Sequence, residues 1–185
     1  MSEARIWLVG SSGSGKSTVG KSLGEFYQIP FIQLDSIYHQ RNWQPLDSEA
    51  FRTRVQEIVA SPGWIIDGNY RAVADVIKSR VTCVIFLDLP RRIIVYRILI
   101  RSISRIIRRS ELWNGNRETI GSILSPRPGR NVLLYALINF TRRRRTYLNP
   151  EFLRSHPDAS FVHLRNRKAI DRHLRFLTRG VSGEV

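Results

Sequence analysis

Gly10-Ser11-Ser12-Gly13-Ser14-Gly15-Lys16-Ser17-Thr18 is the stretch whose residue types and spacing most directly prescribe chemistry. It fits Gly-x-x-x-x-Gly-Lys-Ser/Thr at every position. Glycines at these places let the backbone turn tightly, so that successive N–H groups converge on one point. A helix following the loop aims its free N–H groups and positive dipole end at the same point. Lys16 adds a mobile cation suited to β- and γ-phosphates, and Ser17 offers a hydroxyl to Mg2+. The implied chemistry is the gripping of a nucleoside triphosphate by its phosphates.

Such a loop works only between a strand and a helix. Arg5 to Val9 predicts a short apolar strand, and Lys16 to Tyr27 a helix with Val19, Leu23 and Phe26 on one face. Further along, Ile29 to Leu34 predicts a strand ending at Asp35, with Tyr38, His39, Arg41 and Trp43 in a loop beyond it. Asp47-Ser48-Glu49 starts a helix that Ser61-Pro62-Gly63 ends. Trp64 to Ile66 is a strand ending at Asp67, before Gly68-Asn69-Tyr70-Arg71, and Val73 to Lys78 a short helix. Val81 to Leu87 is a fourth strand, ending at Asp88, and Phe161 to Leu164 a fifth, before a closing helix with Ile170 and Leu174 on one face. Strands alternating with helices make a parallel sheet covered on both faces, with ligands at the strand carboxyl ends. The loop, Asp35, Asp67 and Asp88 are therefore expected to share one crevice, although Asp88 reads equally well as the N-cap of the next helix. Trp43 and Tyr70 are candidates to stack an acceptor ring, or else aromatics of the rim or core.

Charge separates the two halves. Residues 1–88 carry nine Lys/Arg and nine Asp/Glu, whereas residues 89–185 carry twenty-one and six, which accounts for the whole +15. Arg91 to Arg109 predicts one long helix with Arg97, Arg101, Arg105 and Arg108/Arg109 on a common face. Those arginines exclude a transmembrane span and leave a surface-lying amphipathic helix as a lesser alternative. Glu111 to Arg130 is polar and turn-rich and reads as a lid. Asn131 to Arg145 predicts a helix ending in Arg142-Arg143-Arg144-Arg145, a run that points around the whole helix. The single Cys83 allows no internal disulfide, and residues 1–9 are too short an apolar stretch for a secretion signal, so a cytoplasmic setting is expected. Polyphosphate, nucleic acid and anionic lipid are the partners such charge suits.

The loop, Leu34-Asp35-x-x-Tyr38, Trp64-Ile65-Ile66-Asp67-Gly68-Asn69-Tyr70, Leu87-Asp88-x-Pro90 and the Arg-rich helix, in that order, resemble the adenylate-kinase-related P-loop proteins of the topology modulation (FlaR) type, over about residues 5–175. The resemblance implies a three-layer α/β/α sandwich with a five-stranded parallel sheet and a small helical lid, as in nucleoside monophosphate kinases. It implies one domain over 1–185 with 105–145 as a mobile Arg-rich lid, and ATP and Mg2+ as ligands. Asp67-Gly68-x-x-Arg71 has the spacing of the Asp-Gly-Phe-Pro-Arg segment of adenylate kinases, which puts Asp67 on a Mg2+-bound water and Arg71 on an acceptor phosphate. Gly10 to Thr18 would hold the triphosphate, with Ser17 on the metal. Arg97 and Arg101 fall where helix arginines clamp the nucleotide, Arg143 and Arg145 within the lid-return run that meets the transferring phosphoryl group, and Arg167 beside the adenine. Asp35 falls where small-molecule kinases place the carboxylate that takes the acceptor proton, with Tyr38, Trp43 and Tyr70 near the acceptor. Asn69-Tyr70 replaces the Phe-Pro of adenylate kinases, which argues against AMP as acceptor. The four lid cysteines of zinc-bearing relatives are missing, so no structural zinc is implied. The function expected is ATP-dependent phosphoryl transfer to a nucleotide or small hydroxyl acceptor. The alternatives are a nucleic-acid-binding ATPase using the basic half, and a kinase of polynucleotide ends.

Overall fold

The computed structural model describes residues 4–127, 131–154 and 158–180. Pro128 to Arg130, at the end of the expected lid loop, lie outside the described residues. Strand β1 (Arg5–Gly10) leads through the loop into helix α1 (Lys16–Tyr27), then β2 (Phe31–Gln33), α2 (Leu34–Tyr38), α3 (Ser48–Ala60), β3 (Trp64–Asp67), α4 (Ala74–Lys78) and β4 (Cys83–Leu87). The second half continues with α5 (Arg91–Ile107), α6 (Ile120–Leu124), α7 (Val132–Tyr147), α8 (Pro150–Arg154), β5 (Ser160–Leu164) and α9 (Arg167–Gly180). The strands form one parallel sheet in the order β2-β3-β1-β4-β5, so the central strand is the one that feeds the phosphate loop.

Alternation along the strands divides the core. Trp7 and Val9 of β1, Trp64 and Ile66 of β3 and Phe86 of β4 face one layer, where Phe51, Val55 and Val59 of α3 cover them. Ile6, Leu8, Ile65, Ile85 and Leu87 face the other, against Val19 and Leu23 of α1, Ile94 and Ile98 of α5, and Ile170 of α9. Burying side chains such as these stabilises the fold by about 1.5–3 kcal/mol each. The three-layer α/β/α sandwich with five parallel strands is thus the observed architecture. No helix among the described residues is long and apolar enough to cross a membrane.

The structure differs from the sequence reading in several places. β2 stops at Gln33, and Leu34 to Tyr38 turn into a helix instead of a strand end and loop. The cause is local and tertiary at once: Leu34 is fully buried, and the Ser36 hydroxyl back-bonds to the Gln33 carbonyl. Asp35 therefore sits in a helical first turn. Asp88 does not cap α5, whose N-cap is Pro90. The turn-rich stretch after Glu111 contains α6, started by a reciprocal Thr119–Ser122 capping box. Asn131 caps α7 by accepting from the Leu134 N–H, and its amide donates to the Ile123 and Ser125 carbonyls. That single buried side chain fastens the end of α6 to the start of α7.

Candidate active site

The strand-to-helix turn is built as the motif requires. Gly10, Gly13 and Gly15 have φ of 141°, 77° and 100°, the left-handed region that side chains avoid. At Gly10 a Cβ would also stand 2.5 Å from the Leu87 carbonyl oxygen. Lys16 Nζ donates to the Ser11 carbonyl at 3.0 Å and lies 3.7 Å from Asp67 Oδ1. Ser17 Oγ donates to Asp67 Oδ2 at 3.4 Å and accepts from Gln33 Nε2 at 2.7 Å. Burial lowers the pKa of Lys16, opposed by the Asp67 carboxylate, and burial raises that of Asp67, opposed by Lys16. Ser14 Oγ is buried with no hydrogen-bond partner among the described residues. A loop of converging donors with an unused buried hydroxyl fits an anion. Ser12 to Thr18 line a large open cavity, whereas Gly10 and Ser11 are not among its lining residues.

Basic side chains meet this loop from two helices. Arg97, Arg101 and Arg105 line the cavity from α5, and Arg101 Nη2 donates to Ser12 Oγ at 2.9 Å. Burial, then the neighbouring Arg105, lowers the pKa of Arg101. Arg105 is paired with Glu118 at 2.6 Å. From α7, Arg142 and Arg143 line the cavity. Arg143 is buried, donates to Ser11 Oγ at 3.4 Å and lies 5.3 Å from the Tyr135 ring centroid. Arg145 is exposed on the outer side of α7 and is not among the cavity-lining residues. Arg144 turns to Asp88 at 3.2 Å, and Asp88 also meets His163 Nε2 at 3.0 Å. Asp88 therefore ties α7 to β5 and does not join the crevice. Arg167 lines the cavity with its Nε hydrogen-bonded to both oxygens of Asp171.

The opposite wall holds Asp35, Tyr38, Trp43, Tyr70 and Arg71. Tyr70 does more than offer a ring: its hydroxyl donates to Asp35 Oδ1 at 2.7 Å. Tyr38 packs against Tyr70 and Phe51, with centroids 4.8 and 5.2 Å away. Trp43 is half-exposed at 40%. His39 of the same loop also lines the cavity, as do Gln33, Trp113 and Glu118, which the sequence does not single out. Trp113-Asn114-Gly115-Asn116 lies within the turn-rich stretch read as a lid, and an indole inside a Gly/Asn turn is the one signal that could have marked it.

No family model matches the chain. Shikimate kinases of Francisella tularensis, subspecies novicida (strain U112) and tularensis (strain WY96-3418), are each 36% identical to it over 62 residues, 30% of this chain. The matched stretch spans 35% of the length of those curated relatives. Among solved structures, shikimate kinase from Bacteroides thetaiotaomicron superposes with a TM-score of 0.56 at 16% identity, over 97% of this chain and 98% of that one. Shikimate kinase from Acinetobacter baumannii in complex with shikimate gives 0.54 at 17%, over 97% and 94%. A gluconokinase from Sinorhizobium meliloti 1021 gives 0.53 at 18%, over 98% and 93%. At such identities the likeness is one of fold, and the fold of this chain is that of the shikimate- and gluconokinase-like P-loop kinases.

Proposed function

We propose that this chain transfers the γ-phosphoryl group of ATP to a hydroxyl of a small acceptor. The observation that carries the reading is that Lys16, Asp35 and the buried Arg143, from three distant parts of the chain, line one cavity. The loop amides and Lys16 would hold the β- and γ-oxygens, with Arg97 and Arg101 over the chain of phosphates and Arg167 beside the nucleoside. The Ser17 hydroxyl and Asp67 carboxylate, 3.4 Å apart, are hard oxygen donors of the kind that suits Mg2+, with Asp67 acting through a water. Bound there, Mg2+ would offset charge on the β- and γ-oxygens.

Asp35 Oδ2 is the oxygen left to take the acceptor proton, since Oδ1 accepts from Tyr70. The acceptor oxygen forms a bond to γ-phosphorus, the bond from γ-phosphorus to the bridging oxygen breaks, and ADP leaves. Arg143 faces the charge that spreads over the equatorial oxygens, a role that contributes about 10³–10⁵ in rate where an arginine fills it. In this reading residues 1–185 act as one cytoplasmic domain with 105–145 closing over the nucleotide, and the chain is of the topology modulation type. The nucleic-acid reading gains nothing from the comparisons and is not proposed. Radiolabelled ATP supplied with nucleosides, nucleoside monophosphates, small hydroxyl compounds and oligonucleotide ends tests it. Label should pass to one class, and Lys16→Ala should abolish the transfer; turnover at the wild-type rate in that variant overturns the reading.

A further inference from the structure

Resting on that reading, we infer that the acceptor carries a planar ring, a nucleoside in preference to a sugar acid, and that Trp113 is the residue that selects it. The loop between Glu111 and Arg117 is fastened to the acceptor side by side-chain amides. Asn114 Nδ2 donates to the Ser36 and His39 carbonyls at 3.1 and 2.6 Å. The buried Asn116 accepts from the Trp43 N–H at 2.8 Å and donates to the Gln40 carbonyl at 2.9 Å. Both loops turn at a left-handed asparagine, Asn42 with φ 56° and Asn114 with φ 57°, which lets two short hairpin-like turns lie against each other. The residue pair His39–Pro45 bridges the base of one, and Glu111–Arg117 the base of the other.

This docking brings flat surfaces together. The Trp113 ring stacks on His39 with centroids 6.4 Å apart and 20° between planes, and Trp43 meets His39 edge-on at 5.3 Å. Trp113 Nε1 donates to Gln33 Oε1 at 3.4 Å, and Gln33 in turn donates to Ser17. The indole is thereby fixed in orientation relative to the phosphate loop. Both tryptophans line the cavity on the side of Asp35, whereas Arg97, Arg101, Arg142 and Arg143 mark the phosphate side. The charged ends of the Trp113 loop, Glu111 and Arg117, are paired with each other at 3.5 Å. Fixed aromatic faces on a loop whose own charged ends are paired suit a π-face, which every nucleobase presents, with Arg71 and Asp35 of the same wall left for polar groups. A ring placed there leaves its ribose hydroxyl to reach Asp35.

Indole fluorescence reads this without turnover. A nucleoside should quench the full-length protein saturably, and Trp113→Leu should weaken that binding about tenfold, with Trp113→Phe restoring most of it. Affinity for a fluorescent ADP analogue should stay within about twofold in both variants, because the indole is assigned to the acceptor side alone. Saturable binding of a sugar acid with none of nucleosides would overturn the inference, as would a Trp113→Leu effect confined to the ADP analogue. If label from ATP passes to a sugar acid, the ring selection falls and the kinase reading stands. If nucleosides bind at Trp113 and no acceptor is phosphorylated, the kinase reading falls and the ring selection stands.

Discussion

The Tyr70 hydroxyl donates to Asp35 Oδ1 at 2.7 Å, which fixes the carboxylate and leaves one oxygen toward the cavity. Burial, then the Asp35 charge, pushes the Tyr70 hydroxyl far above its usual range, so it remains a donor throughout the working pH range. Asp35→Asn should lower kcat by about 10²–10⁴ while ATP affinity is kept, the loss typical of a missing general base. Tyr70→Phe keeps the ring packed on Tyr38 and Phe51 and removes only the donor. It should lower kcat by about tenfold with KM for ATP unchanged, as expected for a residue that acts through Asp35. Steady-state kinetics on the two variants checks both; equal kcat in Tyr70→Phe and wild type would remove Tyr70 from the mechanism.

Three of the four consecutive arginines, Arg143 to Arg145, should separate sharply by function. Arg143→Ala should cost about 10³ in kcat, because the proposed mechanism gives the transferring charge to this buried guanidinium beside Ser11. Arg145→Ala should leave kinetics within about twofold, since an exposed side chain away from the cavity contributes little. Arg144→Ala should lower the melting temperature and spare kcat, because it leaves the buried Asp88 with His163 alone. Single-turnover phosphoryl transfer and thermal melting on the three variants distinguish these outcomes. An Arg145→Ala loss as large as that of Arg143→Ala would place the wrong face of α7 at the phosphates.

How far the sequence reaches follows from the range of the interactions. The phosphate loop is legible because strand, glycines and helix are contiguous and each position has a local steric reason. Asp35 and Asp67 are legible because parallel strands bring their carboxyl ends to one edge of a sheet. The arginine run is not legible beyond its charge: successive helical residues point about 100° apart, and only docking against Ser11 and Asp88 decides which of them turns inward. Asp88 was misread for the same reason, because its partner His163 is 75 residues away on β5. The Trp113 loop escaped for a different one. Asn114 and Asn116 hold it through side-chain-to-carbonyl bonds spanning more than seventy residues, which leave no periodic signal in a turn-rich sequence.

Without nucleotide, the Lys16–Asp67 pair should make stability depend on pH in a definite direction. Burial holds Lys16 below its usual 10.5, so over the window beneath that value the unfolded chain binds more protons, and stability rises with pH. Burial holds Asp67 above its usual 3.8, so its protonated form favours the fold, and that contribution is lost as pH rises through the folded value. Two charges buried together cost desolvation that their attraction only partly offsets. Lys16→Met with Asp67→Asn should therefore match or exceed the wild-type melting temperature at pH 7, by up to about 1–4 kcal/mol in stability. Lys16→Met alone should melt lower, because it strands the carboxylate. The advantage of the double variant should shrink as pH is raised from about 7 toward 10. Thermal melts of the apoproteins across that range check it; a double variant less stable than wild type at every pH would show that the pair is a net stabiliser.

Asn69 gives the most local test of how the loop is held. β3 ends at Asp67, yet the Asn69 carboxamide continues its pairing with β1: Oδ1 accepts from the Gly10 N–H at 3.1 Å and Nδ2 donates to the Gly10 carbonyl at 2.8 Å. Tyr147 of α7 donates to the same Oδ1 at 3.2 Å. One side chain therefore fixes the residue that opens the phosphate loop and anchors the helix that delivers Arg143. Asn69→Asp preserves size and the acceptor but turns a second oxygen toward the Gly10 carbonyl. It should cost about 1–3 kcal/mol in stability, the penalty of a part-buried polar group left facing a like one. The same change should weaken binding of a fluorescent ADP analogue, because the loop amides are aimed from Gly10 onward. Tyr147→Phe, which removes only the 3.2 Å bond, should cost about 0.5–1.5 kcal/mol and leave ADP affinity intact. Denaturant unfolding paired with analogue titration separates the two effects. Asn69→Asp with wild-type stability and wild-type ADP affinity would mean that the loop holds its shape without this carboxamide, through its glycines and the start of α1 alone.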